Sequence, residues 1–198
     1  TSKIASLEDL SKVMSLGFRG EALASIAAIA RLTITSRHYE QATAYQIRSE
    51  DGVISKPEPS AHPLGSTVDV CDIFYNTRAR RLFMKTPRTE FGHIDTFFSQ
   101  LALGNFPVAF ELKHNGKLIH SLKAANTEAL KLSRLALLLG QEFIDHALCI
   151  ELSAMGLKMY GWIAQPTFNR SQADKQHFYI NGRYVKDKVL SHAVKQAY

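Results

Sequence analysis

Gly17-Phe18-Arg19-Gly20-Glu21-Ala22-Leu23 places two glycines around an arginine just before an apolar-periodic segment. Glycine has no side chain, so its backbone N–H can approach an anion closely. A helix starting at Glu21 adds unpaired N–H groups and a partial positive charge at its first turn. Together these make a phosphate cradle, to which Arg19 adds a charge-assisted contact. A helix–loop–helix corner with two turn glycines accounts for the same residues. The stretch by itself leaves both readings open.

Working outward, Ser6-Leu7-Glu8-Asp9 starts a short helix to about residue 14, capped by Ser6 with Asp9 returning the bond. The helix from about Glu21 repeats Leu23, Ile26, Ala27 and Ala30 at three- and four-residue steps. Alternation then predicts strands at 32–35 and 43–47, with Asp51-Gly52 turning the chain towards Val53-Ile54. Three prolines and a glycine over 57–65 predict a loop, and 67–74 a buried strand with Val68 and Val70 on one face. Thr89 caps a long helix with Phe91, Ile94, Phe98 and Leu101 inside, and Asn115-Gly116 turns a hairpin over 110–120. Residues 124–127 read as a linker and cap, leading to a helix over 128–139 that stops at Gly140. Strands at 147–152, 157–163 and 176–180 and a helix from about Lys188 complete the chain, with a loop over 165–174. The expected domain boundary lies at 124/125, with an α/β (α+β) fold on either side.

Two further segments carry chemistry. In Gly65-Ser66-Thr67-Val68-Asp69-Val70, a glycine and two hydroxyls open a strand. The hydroxyls of Ser66 and Thr67 can bond a heterocycle edge, or simply mark a turn followed by β-formers. Arg78, Arg80, Arg81, Lys85 and Arg88 follow as a basic cluster, suited to phosphate contacts or to a solvated helix face. In Phe178-Tyr179-Ile180-Asn181-Gly182-Arg183, the Asn-Gly pair is a tight turn. Arg183, Lys186 and Lys188 are expected on the surface there, as a DNA contact or a plain turn.

The composition narrows the classes. A chain of 198 residues with 45% apolar and 21% charged residues fills real cores and is not disordered. A net charge of +6 and a pI near 9.3 favour polyanionic partners. Cys71 and Cys149 lie among apolar residues without Cys-x-x-Cys spacing, which points to reduced, buried thiols rather than disulfides or zinc. Eight histidines form no metal-ligand motif. The longest apolar run, Leu135-Ala136-Leu137-Leu138-Leu139, is far too short to span a membrane, and nothing resembles a signal peptide. The expected location is the cytoplasm, at the nucleoid. Thr1 and the helix running into Tyr198 read as cuts in a longer chain.

In order and spacing, these segments resemble the MutL family of DNA mismatch repair ATPases over essentially the whole chain. Thr-Ser-Lys-Ile-Ala-Ser-Leu at 1–7 is similar to the end of its nucleotide lid, and 17–23 to its third ATP motif. Residues 65–83 are similar to its fourth ATP motif and arginine-rich turn, and 178–183 to the aromatic–Asn-Gly-Arg signature of its second domain. The resemblance implies the back portion of a GHKL-type ATPase sandwich with a mixed sheet over 1–124, the fold of gyrase B, Hsp90 and histidine kinases. Part of a ribosomal-protein-S5-like transducer domain follows over 125–198. It implies ATP and Mg²⁺ as cofactors, a homodimer through the N-terminal regions, and coupling of MutS to a downstream endonuclease and helicase.

Carried over by position, Ser2 and Lys3 belong to the lid, while Gly17, Phe18, Arg19, Gly20, Glu21, Ala22 and Leu23 wrap the triphosphate. Ser66 stands near the adenine where the family has threonine, with Thr67 as its neighbour. Lys186 and Lys188 fall at DNA-contacting positions, with Arg183 beside them and Lys85 a further candidate. The resemblance places the general-base Glu, the Mg²⁺-ligand Asn and the Asp-x-Gly-x-Gly adenine motif upstream of Thr1, and a γ-phosphate lysine beyond Tyr198. No catalytic or metal residue is therefore expected in the chain, which is expected not to hydrolyse ATP alone. Arg78 replaces a proline of the bacterial pattern and Leu82 a basic residue. Competing readings are another GHKL ATPase, such as a type II topoisomerase subunit, and a DNA- or protein-binding module without ATP chemistry.

Overall fold

The computed structural model describes residues 17, 20–165 and 176–197. The helix expected over 6–14, most of the 165–174 loop, and Tyr198 lie outside these residues. The chain divides into two compact units, 1–90 and 91–198.

The first unit begins with α1 (Ala22–Ala27), shorter than its apolar repeat suggests, because a turn follows Ala27 and delivers the buried Ala30 to the sheet. That sheet has β1 (Arg31–Arg37), β2 (Ala44–Glu50), β3 (Val53–Ile54), β4 (Glu58–Ser60) and β5 (Gly65–Cys71). Its order is β3-β2-β1-β5, with β4 sharing the β2 edge. Ile34 lies opposite Ile47 on β2 and Val68 on β5, which fixes the register. Leu32, Ile34, Ile47, Val68 and Val70 thus share one face, while Thr33, Thr35, Gln46, Thr67 and Asp69 share the other. Asp51 (φ 50°) and Gly52 (φ 78°) make the left-handed two-residue turn between β2 and β3.

Three expectations change in this unit. The stretch 57–65 is not all loop, because Glu58–Ser60 pairs with Ala44, Tyr45 and Gln46. An edge strand tolerates Pro59 because its outer side needs no ladder donor. β5 is exposed along its whole length rather than buried, and no described element covers Val68 or Val70. Finally, Cys71 is free but exposed, as is Cys149 in the second unit. Adjacent strand residues point to opposite faces, so apolar neighbours in sequence do not bury a thiol. Cys71 sits on the polar face, where its thiol donates to Asp69 (3.4 Å) and the carboxylate pushes its pKa up.

After α2 (Arg78–Arg81) comes α3 (Pro87–Gly104). Its cap is Thr86 rather than Thr89: the Thr86 hydroxyl accepts from Thr89 N at 3.3 Å, and Pro87 takes the first helical position, where a missing N–H costs nothing.

The second unit holds most of α3 and then β6 (Phe110–His114), β7 (Lys117–Leu122), α4 (Glu128–Leu139), α5 (Gln141–Asp145), β8 (Ala147–Ala154), β9 (Leu157–Ala164), β10 (Phe178–Ile180), β11 (Arg183–Val185) and α6 (Lys188–Ala197). α3 turns Phe98, Ala102 and Leu103 inward, but not Ile94, which is exposed. The turns at Asn115-Gly116 and Asn181-Gly182 are left-handed, as two-residue hairpins require. Thr127 caps α4 by accepting from Leu130 N (3.3 Å), and Gly140 ends it at φ 97°. Leu103, Phe106, Ala125, Leu135 and Leu139 form the core, with Trp162 and Tyr179 packed against it. All strand pairings between described residues are antiparallel, including those where a mixed sheet is expected. Most strands fold back on their neighbour through short turns, whereas a parallel pair needs a long crossover.

Candidate functional site

The glycine-flanked loop opens directly onto α1. Gly17 and Gly20 are exposed, and Gly20 bends the chain at φ 71°, a conformation that strains any other residue. Glu21 precedes the helix without a side-chain capping bond, and its carbonyl accepts from Ser25 N at 2.9 Å. Glu21, Ala22 and Leu23 are exposed at the start of α1. Ser2, Lys3, Phe18 and Arg19 lie outside the described residues.

Ser66 and Thr67 start β5 on opposite faces, opposite Ser36 and Thr35. The Ser66 hydroxyl lies 2.7 Å from that of Ser36, on the same face as Val68 and Val70. The Thr67 hydroxyl lies 2.7 Å from His62 Nε2, whose Nδ1 is 2.7 Å from the Pro63 carbonyl. His62 thereby closes the Pro63-Leu64-Gly65 turn across its two ends, and Gly65 there has φ 122°. Both hydroxyls are exposed. Among the described residues no group of His, Cys, Asp and Glu side chains is placed to hold a metal ion.

The basic residues fall in both units. Arg78, Arg80, Arg81, Lys85 and Arg88 are all exposed, as are Leu82 and Phe83. The Lys85 backbone N–H donates to Glu90 (2.8 Å), which holds the approach to α3 while the side chain stays outward. In the second unit Lys186 and Lys188 are exposed at the start of α6, where Asp187 caps by accepting from Leu190 N (2.9 Å). Arg183 differs from expectation: it is half-buried on β11 opposite Ile180, because the left-handed turn spends only Asn181 and Gly182 on the surface.

A family model for the DNA mismatch repair protein, C-terminal domain, matches residues 135–198. The chain is 51% identical over 199 residues to the DNA mismatch repair protein MutL of Pseudomonas fluorescens (strain SBW25), covering 100% of this chain and 31% of that protein. MutL of Pseudomonas aeruginosa (strain LESB58) matches with the same identity and coverage. The chain belongs to the MutL family. It spans about a third of the length of the curated MutL relatives it matches. Among solved structures it is similar to the Aquifex aeolicus MutL ATPase domain complexed with ADP, at 26% identity and a TM-score of 0.70, covering 98% of this chain and 71% of that one. The N-terminal domain of a DNA repair protein matches at 26% identity and a TM-score of 0.74, covering 93% and 60%. The α/β fold with antiparallel sheets is that of MutL GHKL ATPase domains. No described helix is long and apolar enough to cross a membrane.

Within this MutL-family unit, the structure adds residues that sequence reasoning passes over. Arg31 donates to Glu50 (2.6 Å) and Asp72 (2.5 Å), and its guanidinium lies 4.6 Å from the centre of the Tyr75 ring. The two carboxylates raise the Arg31 pKa further above its usual range. The Tyr75 hydroxyl donates to Asp51 (2.5 Å), which raises the phenol pKa. Asn76 Nδ2 donates to the Ala28 carbonyl (3.0 Å). These contacts join residues up to 48 apart in sequence, and no local pattern marks them.

Proposed function

We propose that the protein is a DNA mismatch repair ATPase of the MutL type. It binds ATP, pairs its N-terminal regions, and couples recognition by MutS to downstream nicking and unwinding by an endonuclease and a helicase. The observation that carries this reading is the 51% identity to MutL across the entire chain, which takes in all three motif segments at once. The relative crystallised with ADP supports the nucleotide. The left-handed bend at the exposed Gly20 before α1 suits the phosphates, and the family resemblance adds Gly17, Phe18 and Arg19, with Ser2 and Lys3 from the lid. Ser66 presents its hydroxyl to the adenine, with Thr67 as its neighbour.

Mg²⁺ supplies charge stabilisation to the transferring phosphate when bound. On the family resemblance alone, this reading assigns its ligand and the general base to sequence upstream of Thr1. We assign an ATPase role to 1–124 and a transducer role to 125–198. That division is functional rather than one of packing, since Arg134 of α4 is bonded to carbonyls of Ala102 and Asn105. DNA is held mainly through its phosphates by Lys85, Lys186, Lys188 and Arg183, with little dependence on sequence. The site of action is the cytoplasm, at the nucleoid.

Titration of the full-length protein with an ATP analogue tests the reading. Gly20→Ala is expected to weaken binding at least about tenfold, because the phosphate loop loses its left-handed bend. Failure of the unaltered protein to bind nucleotide overturns the proposal. Residues 1–198 alone are expected to hydrolyse no ATP, and turnover above background from that segment would contradict the assignment of the catalytic groups.

A further inference from the structure

We propose that Ser36 is a positioning residue that sets base specificity. It turns the Ser66 hydroxyl into a hydrogen-bond acceptor, and so favours adenine over guanine in the bound nucleotide. The inference rests on the proposed function for placing the base at Ser66.

Two hydroxyls open β5, and their surroundings differ. Thr67 lies on the polar face, where its hydroxyl is 2.7 Å from His62 Nε2. His62 Nδ1 faces the Pro63 carbonyl at 2.7 Å, which can only accept. Nδ1 therefore carries the ring proton, and in the neutral ring Nε2 takes the proton of Thr67. Ser66 lies on the other face, opposite Ser36, with the two oxygens 2.7 Å apart. Ser36 also donates to the Gly65 carbonyl, at 3.4 Å. A hydroxyl has one proton and two lone pairs. With the Ser36 proton directed at Gly65, the short contact between the serines carries the proton of Ser66. Ser66 is left with lone pairs alone on its open side. Ser36 is half-buried and Ser66 exposed, so the inner hydroxyl orients and the outer one presents.

The sheet face around the pair suits a flat heterocycle. Two residues along, Ile34 lies opposite Val68, which is about half exposed. Same-face neighbours on a strand are about 7 Å apart, so a ring laid over Val68 brings its polar edge to the serine pair. At position 6 of the purine, adenine carries an amino group, which donates, and guanine a carbonyl, which accepts. An acceptor at Ser66 pairs with the first and meets the lone pairs of the second. A mismatched polar pair of this kind separates close analogues more sharply than apolar contact does.

The test uses the full-length protein and non-hydrolysable analogues of ATP and GTP, each titrated to a Kd. The unaltered protein is expected to bind the ATP analogue at least about tenfold tighter than the GTP analogue. Ser36→Ala frees the Ser66 proton to meet a guanine carbonyl. It is expected to lower that ratio about fivefold, chiefly through tighter binding of the GTP analogue. Ser36→Thr keeps the orienting hydroxyl on a strand-favouring side chain, and is expected to hold the ratio within about twofold. In a Ser66→Ala background, Ser36→Ala is expected to change the ratio by less than about twofold, which a purely structural role would not give. If Ser36→Ala fails to fold, Ser66→Ala decides, with the same expected drop of about fivefold. Retention of the full ratio in the deciding variant overturns the inference, as does an equal drop from Ser36→Ala with and without the Ser66 hydroxyl. Equal binding of the two analogues by the unaltered protein overturns it too, and leaves the proposed function standing. Failure of the unaltered protein to bind either analogue defeats both.

Discussion

The two units bury their apolar residues differently. In 91–198, Phe98, Ala102, Leu103, Phe106, Leu122, Ala125, Leu135 and Leu139 are buried and close a core of their own. In 1–90, the buried apolar side chains among the described residues are Ala30, Leu32 and Ala44, while Val68 and Val70 stay about half exposed (50% and 42%) on a continuous sheet face. Apolar burial is the main term that opposes chain entropy, so the second unit carries more of its own stability. On that face Leu32 is buried at one end, while Val68 and Val70 are left open among the described residues.

The sharpest way to break this contrast is Arg134→Leu against Val68→Ala. Arg134 is 2% exposed, and its guanidinium donates to the carbonyls of Ala102 (3.1 Å), Asn105 (3.1 Å), Val108 (2.8 Å) and Lys123. Among the described residues no carboxylate pairs with it, and burial lowers its pKa. Its counterweight is the C-terminal end of α3, where unpaired carbonyls and the helix dipole favour a cation, with the rings of Phe106 and Phe110 beside it. Leucine fits the volume but removes the side-chain donors to four carbonyls, that of Ala102 buried and the others part-buried, for an expected loss of about 3–5 kcal/mol. Val68→Ala removes half-exposed methyls, for an expected loss below about 0.5 kcal/mol. Trp162, the one tryptophan, packs 5.6 Å from Phe106, so its fluorescence in denaturant reads Arg134→Leu in the second unit, while far-UV circular dichroism, which also registers the first-unit sheet, reads Val68→Ala. Equal costs for the two substitutions would erase the contrast.

A smaller effect is expected at Gly104. A Cβ built there would lie 2.6 Å from Tyr179 Cε1, a ring half-buried against α3. Gly104→Ala is therefore expected to cost about 1–3 kcal/mol through overpacking, read from the same fluorescence transition. An unchanged midpoint would mean that the ring moves aside freely.

These sites mark where the sequence is readable and where it is not. Asp51-Gly52, Asn115-Gly116 and Asn181-Gly182 announce their turns because the pair itself selects the backbone conformation. Thr127 and Gly140 likewise bound α4 because capping is local. What escaped is non-local. β4 is hidden by prolines whose penalty disappears at a sheet edge, and α5 is too short to show a period. Arg134 reads as an ordinary solvated helix residue until its carbonyl partners, up to 32 residues away, are in place. For the candidate site, the glycines before α1 were readable because they answer to backbone geometry. Asn76 and Tyr75 were not, because their partners come from other elements.

Among the second-unit sites Tyr179 gives the smallest change and the one with a pH signature. Its hydroxyl donates to the Gln100 carbonyl at 2.7 Å, and burial pushes the phenol pKa well above its ordinary value of 10.0, with Tyr184 adding to the rise. A raised folded-state pKa means that the unfolded chain releases this proton first. The stabilising contribution is therefore complete below pH 10 and is lost as the pH climbs towards the folded value. Tyr179→Phe is expected to cost about 1 kcal/mol at neutral pH through the lost hydrogen bond. It should also flatten the decline of the Trp162 transition above pH 10, because the phenol held against α3 is no longer there to ionise. A variant with the same alkaline slope as the unaltered chain would mean that other tyrosines set the decline, and that the ring is held to α3 by packing alone.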